Sequence, residues 1–165
     1  MNNQQAKPDW LKQAQSMRFE THAFIGGDYT ASKKITLRNK DADQSIFKTV
    51  NPATENELAV FTDADASIID QAAVAARAAF ASWKILSPDQ RKIFLFAVAD
   101  EIESNKNTLA LLDSLEMGMP ISMALEQVEG ATGFMRYNAE LIDIVYGEIA
   151  PADSATTLGL SQLEP

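Results

Sequence analysis

The sequence predicts a mostly α-helical chain with short β-hairpins near its N-terminus, and three observations lead there. Between residues 24 and 61, apolar and β-branched residues come in short runs separated by turn formers. From Ser67 onward, apolar residues recur three and four apart, which is the period of one helix face. Ser87-Pro88, Gly118 and Gly147 punctuate that region as helix boundaries. With 165 residues, 46% of them apolar and 22% charged, the chain has the make-up of one soluble domain or of part of a larger one.

Each element has a local reason. Residues 1–23 are polar, with a short helix expected around Trp10–Met17. Phe24-Ile25-Gly26-Gly27-Asp28-Tyr29-Thr30 reads as a hairpin, because a Gly-Gly pair supplies the positive φ of a tight turn. Residues 31–45 have no apolar period and read as a loop. Ile46–Val50 and Leu58–Phe61 are strand-like, joined by the turn formers Asn51-Pro52-Ala53-Thr54-Glu55-Asn56.

The first long helix is expected to start at Ser67, with Asp70 three residues on as in a capping box. Its apolar face would be Ile69, Ala72, Ala73, Ala76, Phe80 and Trp83. A second starts at Ser87, with Pro88 in the first helical position and Gln90 three beyond the cap. It would bury Ile93, Ala97, Val98 and Ile102, then fray in residues 104–107. The third runs from about Thr108 on Leu109, Leu112 and Leu115 to Gly118. The fourth spans about Ile121–Tyr146 on Val128, Ala131, Met135, Ala139, Ile142 and Val145. In the extended remainder, 148–165, Thr156-Thr157-Leu158 is the only strand candidate.

Composition excludes much. Fourteen Lys+Arg against 23 Asp+Glu give a net charge of −9, which opposes nucleic acid and anionic membrane surfaces as partners. No run of 18 apolar residues forms a transmembrane helix. Met1–Phe19 lacks the apolar core of a signal peptide, so a cytoplasmic location is the default. There is no cysteine, hence no disulfide, thiolate metal site or cysteine nucleophile among these residues. His22 is single, and no catalytic partner is suggested by spacing. Gly26-Gly27 is not a phosphate-binding G-x-G-x-x-G loop. Glu101, Glu103, Asp113 and Glu116 read as a solvated face, and Met117, Met119 and Met123 as core filling at a helix corner.

A resemblance supplies what spacing does not. Phe24–Tyr29, Thr49-Val50-Asn51-Pro52-Ala53-Thr54, Ala75–Phe80, Ser87-Pro88 with Arg91, Leu115–Pro120, Arg136-Tyr137 and Tyr146-Gly147 occur in this order and spacing. Together they resemble the N-terminal segment of the aldehyde dehydrogenase superfamily, and Leu163-Glu164-Pro165 is similar to the stretch leading into its first dinucleotide-binding strand. The Trp10 segment and Ala139–Glu148 look most like the branch acting on γ-glutamyl-aminobutyraldehyde and other ω-amino aldehydes.

The resemblance implies an α/β fold in which 24–146 is the N-terminal part of a Rossmann-type NAD(P)-binding domain. Residues 1–23 would be an extension, and 147–165 the start of an oligomerisation arm in a family of homodimers and homotetramers. The full enzyme attacks its aldehyde with a cysteine thiolate, passes hydride to NAD or NADP and hydrolyses the thioester. Because its catalytic cysteine and cofactor motifs lie downstream of the matched motifs, this chain reads as a truncated fragment, inactive and binding neither NAD nor NADP alone. Some members hold a monovalent cation through oxygens at positions that match Thr49, Val50 and Glu116. The fourth helix borders the substrate entrance in the family, but Glu126 and Gly130 there are not motif residues and make no site. The competing expectation is a non-catalytic helical interaction protein that partners a full-length dehydrogenase.

Overall fold

The structure, a computed structural model, describes residues 9–30, 46–150 and 157–161. The expected loop at 31–45, Thr156 of the expected last strand, and Leu163-Glu164-Pro165 lie outside them. The described elements run in the order α1 (Trp10–Ser16), β1 (Phe24–Ile25), β2 (Asp28–Tyr29), β3 (Ile46–Val50), β4 (Glu57–Thr62) and α2 (Ala66–Trp83). They continue with α3 (Pro88–Ser104), α4 (Lys106–Met117), α5 (Ile121–Leu141), a 3-10 turn (Ile142–Ile144), β5 (Glu148–Ala150) and β6 (Gly159–Ser161).

The strands form three separate antiparallel pairs: β1 with β2, β3 with β4, β5 with β6. In the first, Gly26 and Gly27 take φ of 65° and 98° between Ile25 and its partner Asp28, the positive-φ turn their sequence favours. In the second, Phe47 and Phe61 face each other and stack with ring centroids 5.0 Å apart. The last pair sets Ile149 against Leu160, so the returning strand starts at Gly159 and not at Thr157-Leu158.

Three helix ends differ from expectation. Asp65, not Ser67, caps α2: its carboxylate accepts from the Ile68 N–H at 2.9 Å. Ser67 lies inside the helix and accepts from the Gln71 amide, so no capping box forms with Asp70. Helix α4 begins at Lys106 with no frayed stretch before it, because Asn105 ends α3 and caps α4 at once. Helix α5 stops at Leu141, where the backbone tightens into the 3-10 turn before reaching Tyr146. The α3 boundary is as expected, with both hydrogen bonds of the Ser87/Gln90 box present.

The core lies where α5 packs on α3 and α4. Ala99, Ala110, Ala124 and Ala139 are fully covered, and these small side chains let the helix axes approach closely. Around Ala110, Ala124 and Val128 pack Ile102, Leu109, Met119, Ile121 and Leu125. The buried face of α5 is Ala124, Val128, Thr132 and Ala139, so Thr132 takes the inward place expected for Ala131. Its hydroxyl is satisfied by the Val128 carbonyl at 3.0 Å. On α3 only Ala99 is buried, while the expected inward residues Ile93 and Val98 are exposed. Of the expected face, Ile102 does pack on the core, so the period marks the inward side only in part, the helix being apolar on more than one side. Nothing on α2 is buried: Ile69, Val74, Phe80 and Trp83 all remain open.

Ion pairs fasten the same seam. Lys92 bonds Glu140 at 2.6 Å and Asp143 at 2.7 Å, and Arg136 bonds Asp100 at 2.6 Å and Glu103 at 2.7 Å. Lys106 pairs with Glu129. The pairings place the start of α3 beside the end of α5, so the two helices run antiparallel.

Candidate functional site

The two motif segments expected to carry a cation site meet in space. The turn after β3 closes on itself: the Asn51 side-chain oxygen accepts from the Ala53 and Thr54 amides at 2.9 and 3.3 Å. The Asn51 N–H donates to the Asn56 carbonyl at 2.9 Å, and Glu55 takes the left-handed φ of 59°. Pairing shifts between Thr49 and Val50, where Thr49 faces Ala59 but Val50 faces Glu57, so Leu58 is the extra residue of a bulge.

Opposite stands the corner that ends α4. Gly118 has φ 70°, its N–H bonds the Ser114 carbonyl, and the Ser114 hydroxyl donates to the Met119 carbonyl at 2.7 Å. A Cβ on Gly118 would lie 2.9 Å from Pro52 Cγ, so the turn and the corner touch only because this residue is glycine.

The candidate residues differ in their surroundings. The Thr49 hydroxyl oxygen is buried and has no hydrogen-bond partner. Val50 is half-exposed, and Glu116 is exposed on the last turn of α4. The enclosed hydroxyl lies at the bulge, where the β3–β4 pairing shifts. Among the described residues, no three His, Cys, Asp or Glu side chains group as a metal cage.

Among the described residues no glycine-rich loop joins a strand to a helix, and the N-termini of α2 and α3 are occupied by their own Asp65 and Ser87 caps. His22 has a local partner: its Nδ1 and main-chain N–H meet Glu20 Oε1 at 2.5 and 2.9 Å. The N–H of His22 holds the Glu20 carboxyl below its ordinary range. The pair is exposed and local and assembles nothing further. Glu103 is not merely solvated, since Arg136 binds it.

Two further features were not foreseen. The Arg91 Nε is buried without a partner, which a basic residue in a first helical turn does not announce. Lys92 is held protonated well above the ordinary lysine range, first by the Asp143 hydrogen bond and then by Glu140. Its partner Asp143 lies 51 residues away, beyond any local sequence signal.

Comparison with known proteins defines the class. The aldehyde dehydrogenase family pattern matches residues 38–165. The chain therefore belongs to the aldehyde dehydrogenase family. It is 38% identical over 148 residues to the NADP/NAD-dependent aldehyde dehydrogenase PuuC of Escherichia coli (strain K12), covering 88% of this chain and 28% of that protein. The crystal structure of the aldehyde dehydrogenase KauB from Pseudomonas aeruginosa superposes with a TM-score of 0.76 at 34% identity, covering 89% of this chain and 28% of that one. Succinate-semialdehyde dehydrogenase from Burkholderia pseudomallei gives 0.71 at 28% identity, over 84% and 27%. The chain thus spans little more than a quarter of the length of these relatives, and its helices and strand pairs are a portion of their α/β fold.

Proposed function

We propose that this chain forms the N-terminal part of an NAD(P)-dependent aldehyde dehydrogenase and supplies scaffold, not reacting groups. The family match over 38–165 carries the reading. Residues 24–146 would serve as the leading part of the cofactor domain after an extension at 1–23, and 147–165 as the start of an assembly arm in a homodimer or homotetramer. The substrate would be an aldehyde of the ω-amino type, in keeping with the resemblance at Trp10 and Ala139–Glu148, and the location cytoplasmic. No helix of the described residues is long and apolar enough to cross a membrane.

Alone, the 165 residues would oxidise no aldehyde and bind neither NAD nor NADP, since they contain no cysteine for the thiolate step and no G-x-G-x-x-G phosphate loop. The turn–corner contact would hold a monovalent cation through Thr49, Val50 and Glu116, bracing the scaffold. The test is a chimera in which these residues replace the matching stretch of the Escherichia coli relative. Aldehyde-dependent NAD(P)H formation by the chimera supports the scaffold reading; a folded but inactive chimera counts against it. NAD(P)H formation from propanal by the isolated chain overturns the assignment of inactivity.

A second reading, a non-catalytic partner of a full-length dehydrogenase, is favoured by the exposed Ile149, Leu158 and Leu160 on and beside β5 and β6. Co-purification of the chain with a full-length relative would support it, and absence of a complex at micromolar concentration would dismiss it.

A further inference from the structure

We propose that Lys92 is a latch: it ties the end of α5 to α3 and so fixes the place from which the β5–β6 hairpin leaves the helical layer. The geometry is specific. Lys92 sits in the second turn of α3, its side chain only 22% exposed, and its single ammonium binds Glu140 Oε2 at 2.6 Å and Asp143 Oδ2 at 2.7 Å. Glu140 belongs to the last turn of α5 and Asp143 to the 3-10 turn that follows. Only Val145, Tyr146 and Gly147 separate that turn from β5.

Charge makes the tie necessary. The C-terminal end of a helix carries partial negative charge from its free carbonyls, so two carboxylates there are unfavourable by position. Lys92 offsets both and the helix end together. Without the ammonium, two like charges one turn apart repel each other and the carbonyls, and the last turn frays. The amide of Ile142 reports this directly, because it donates to the carbonyls of Ala139 and Glu140. A lone exposed ion pair is worth little, but one cation shared by two anions at a helix end is a network. The latch acts whether or not the hairpin engages another subunit.

Hydrogen exchange of the 165-residue chain tests it. Lys92→Gln should speed exchange at Ile142 about five-fold, the size expected for losing a networked surface charge. The Ala110 and Leu111 amides in α4 should keep their rates, and Lys92→Arg should keep the wild-type rate at Ile142. The triple variant Lys92→Gln, Glu140→Gln, Asp143→Asn removes the repulsion along with the tie, so it should return most of the lost protection. An unchanged rate in Lys92→Gln overturns the latch. So does equal acceleration in α4, or a triple variant as fast as the single one.

Discussion

Helices α2 and α5 are both long, both amphipathic in sequence, and treated differently by the fold. Helix α5 has four buried residues and contacts α3 and α4 along its length. Helix α2 has none, and its apolar side lies open beside the β1–β2 turn and the Trp83–Phe94 edge contact. An open groove of about 500 Å³ runs there between Ala76, Phe80, Trp83, Leu86 and Phe94. An apolar stripe is therefore a demand for a partner and not proof of one. Burial stabilises only the helix whose stripe meets complementary small and large residues, as Ala110 meets Ala124 and Val128.

This contrast sets the largest expected effect. Leu111 is 4% exposed in the α4–α5 layer, so Leu111→Ala should cost about 2–5 kcal/mol of local stability. Native-state hydrogen exchange across α4 and α5 reads it. A loss below 1 kcal/mol, on the order of an exposed position, would show that the layer is as loosely packed as α2.

Next in size is the corner. Gly118→Ala forces an L-residue into left-handed backbone, costing about 1–2 kcal/mol, with displacement of Pro52 added to it. If the contact matters, Pro52→Ala in the same chain should recover part of the loss and leave the backbone share. Additivity of the two substitutions would mean that turn and corner do not press on each other.

What was legible in the sequence is what is decided locally. Gly26-Gly27 turned as their freedom from Cβ dictates, and Ser87 with Gln90 closed a box because both partners lie within one turn. The α2 start was misplaced because Asp65 and Ser67 are both good caps; the backbone chose the carboxylate that meets Ile68. The end of α5 was overrun because Ile142 and Val145 keep the helical period, whereas the 3-10 turn there is bound from α3 by Lys92. The period of α3 marks Ile102 correctly but also takes in Ile93 and Val98, which stay exposed, and it passes over the buried Ala99. Of the candidate site, the order of motifs was readable. The meeting of Pro52 with Gly118 was not, since nothing local encodes a contact between residues so far apart in the chain.

The Ser87 cap gives a smaller, cleaner effect. Ser87→Ala should cost about 1 kcal/mol, confined to the first turn of α3. Faster exchange at Gln90, with α4 unchanged, is the expected pattern. Propagation into α4 would mean that α3 and α4 open as one unit through the shared Asn105.

The smallest expected effect falls on α2. Val74 is 70% exposed in the middle of the helix, so Val74→Ser removes almost no buried surface and should change stability by less than about 0.5 kcal/mol. Its effect on surface chemistry should be larger than its effect on folding. Ile69, Val74 and Phe80 expose apolar area of the kind that captures hydrophobic dyes, so ANS fluorescence of the chain should be strong, and should fall in Val74→Ser. With so thin a core, heating should produce a broad transition, in contrast to the sharp one of a fully packed domain of this length. A sharp monomeric melt accompanied by weak dye binding would mean that α2 is covered in solution, and the contrast between the two helices would vanish.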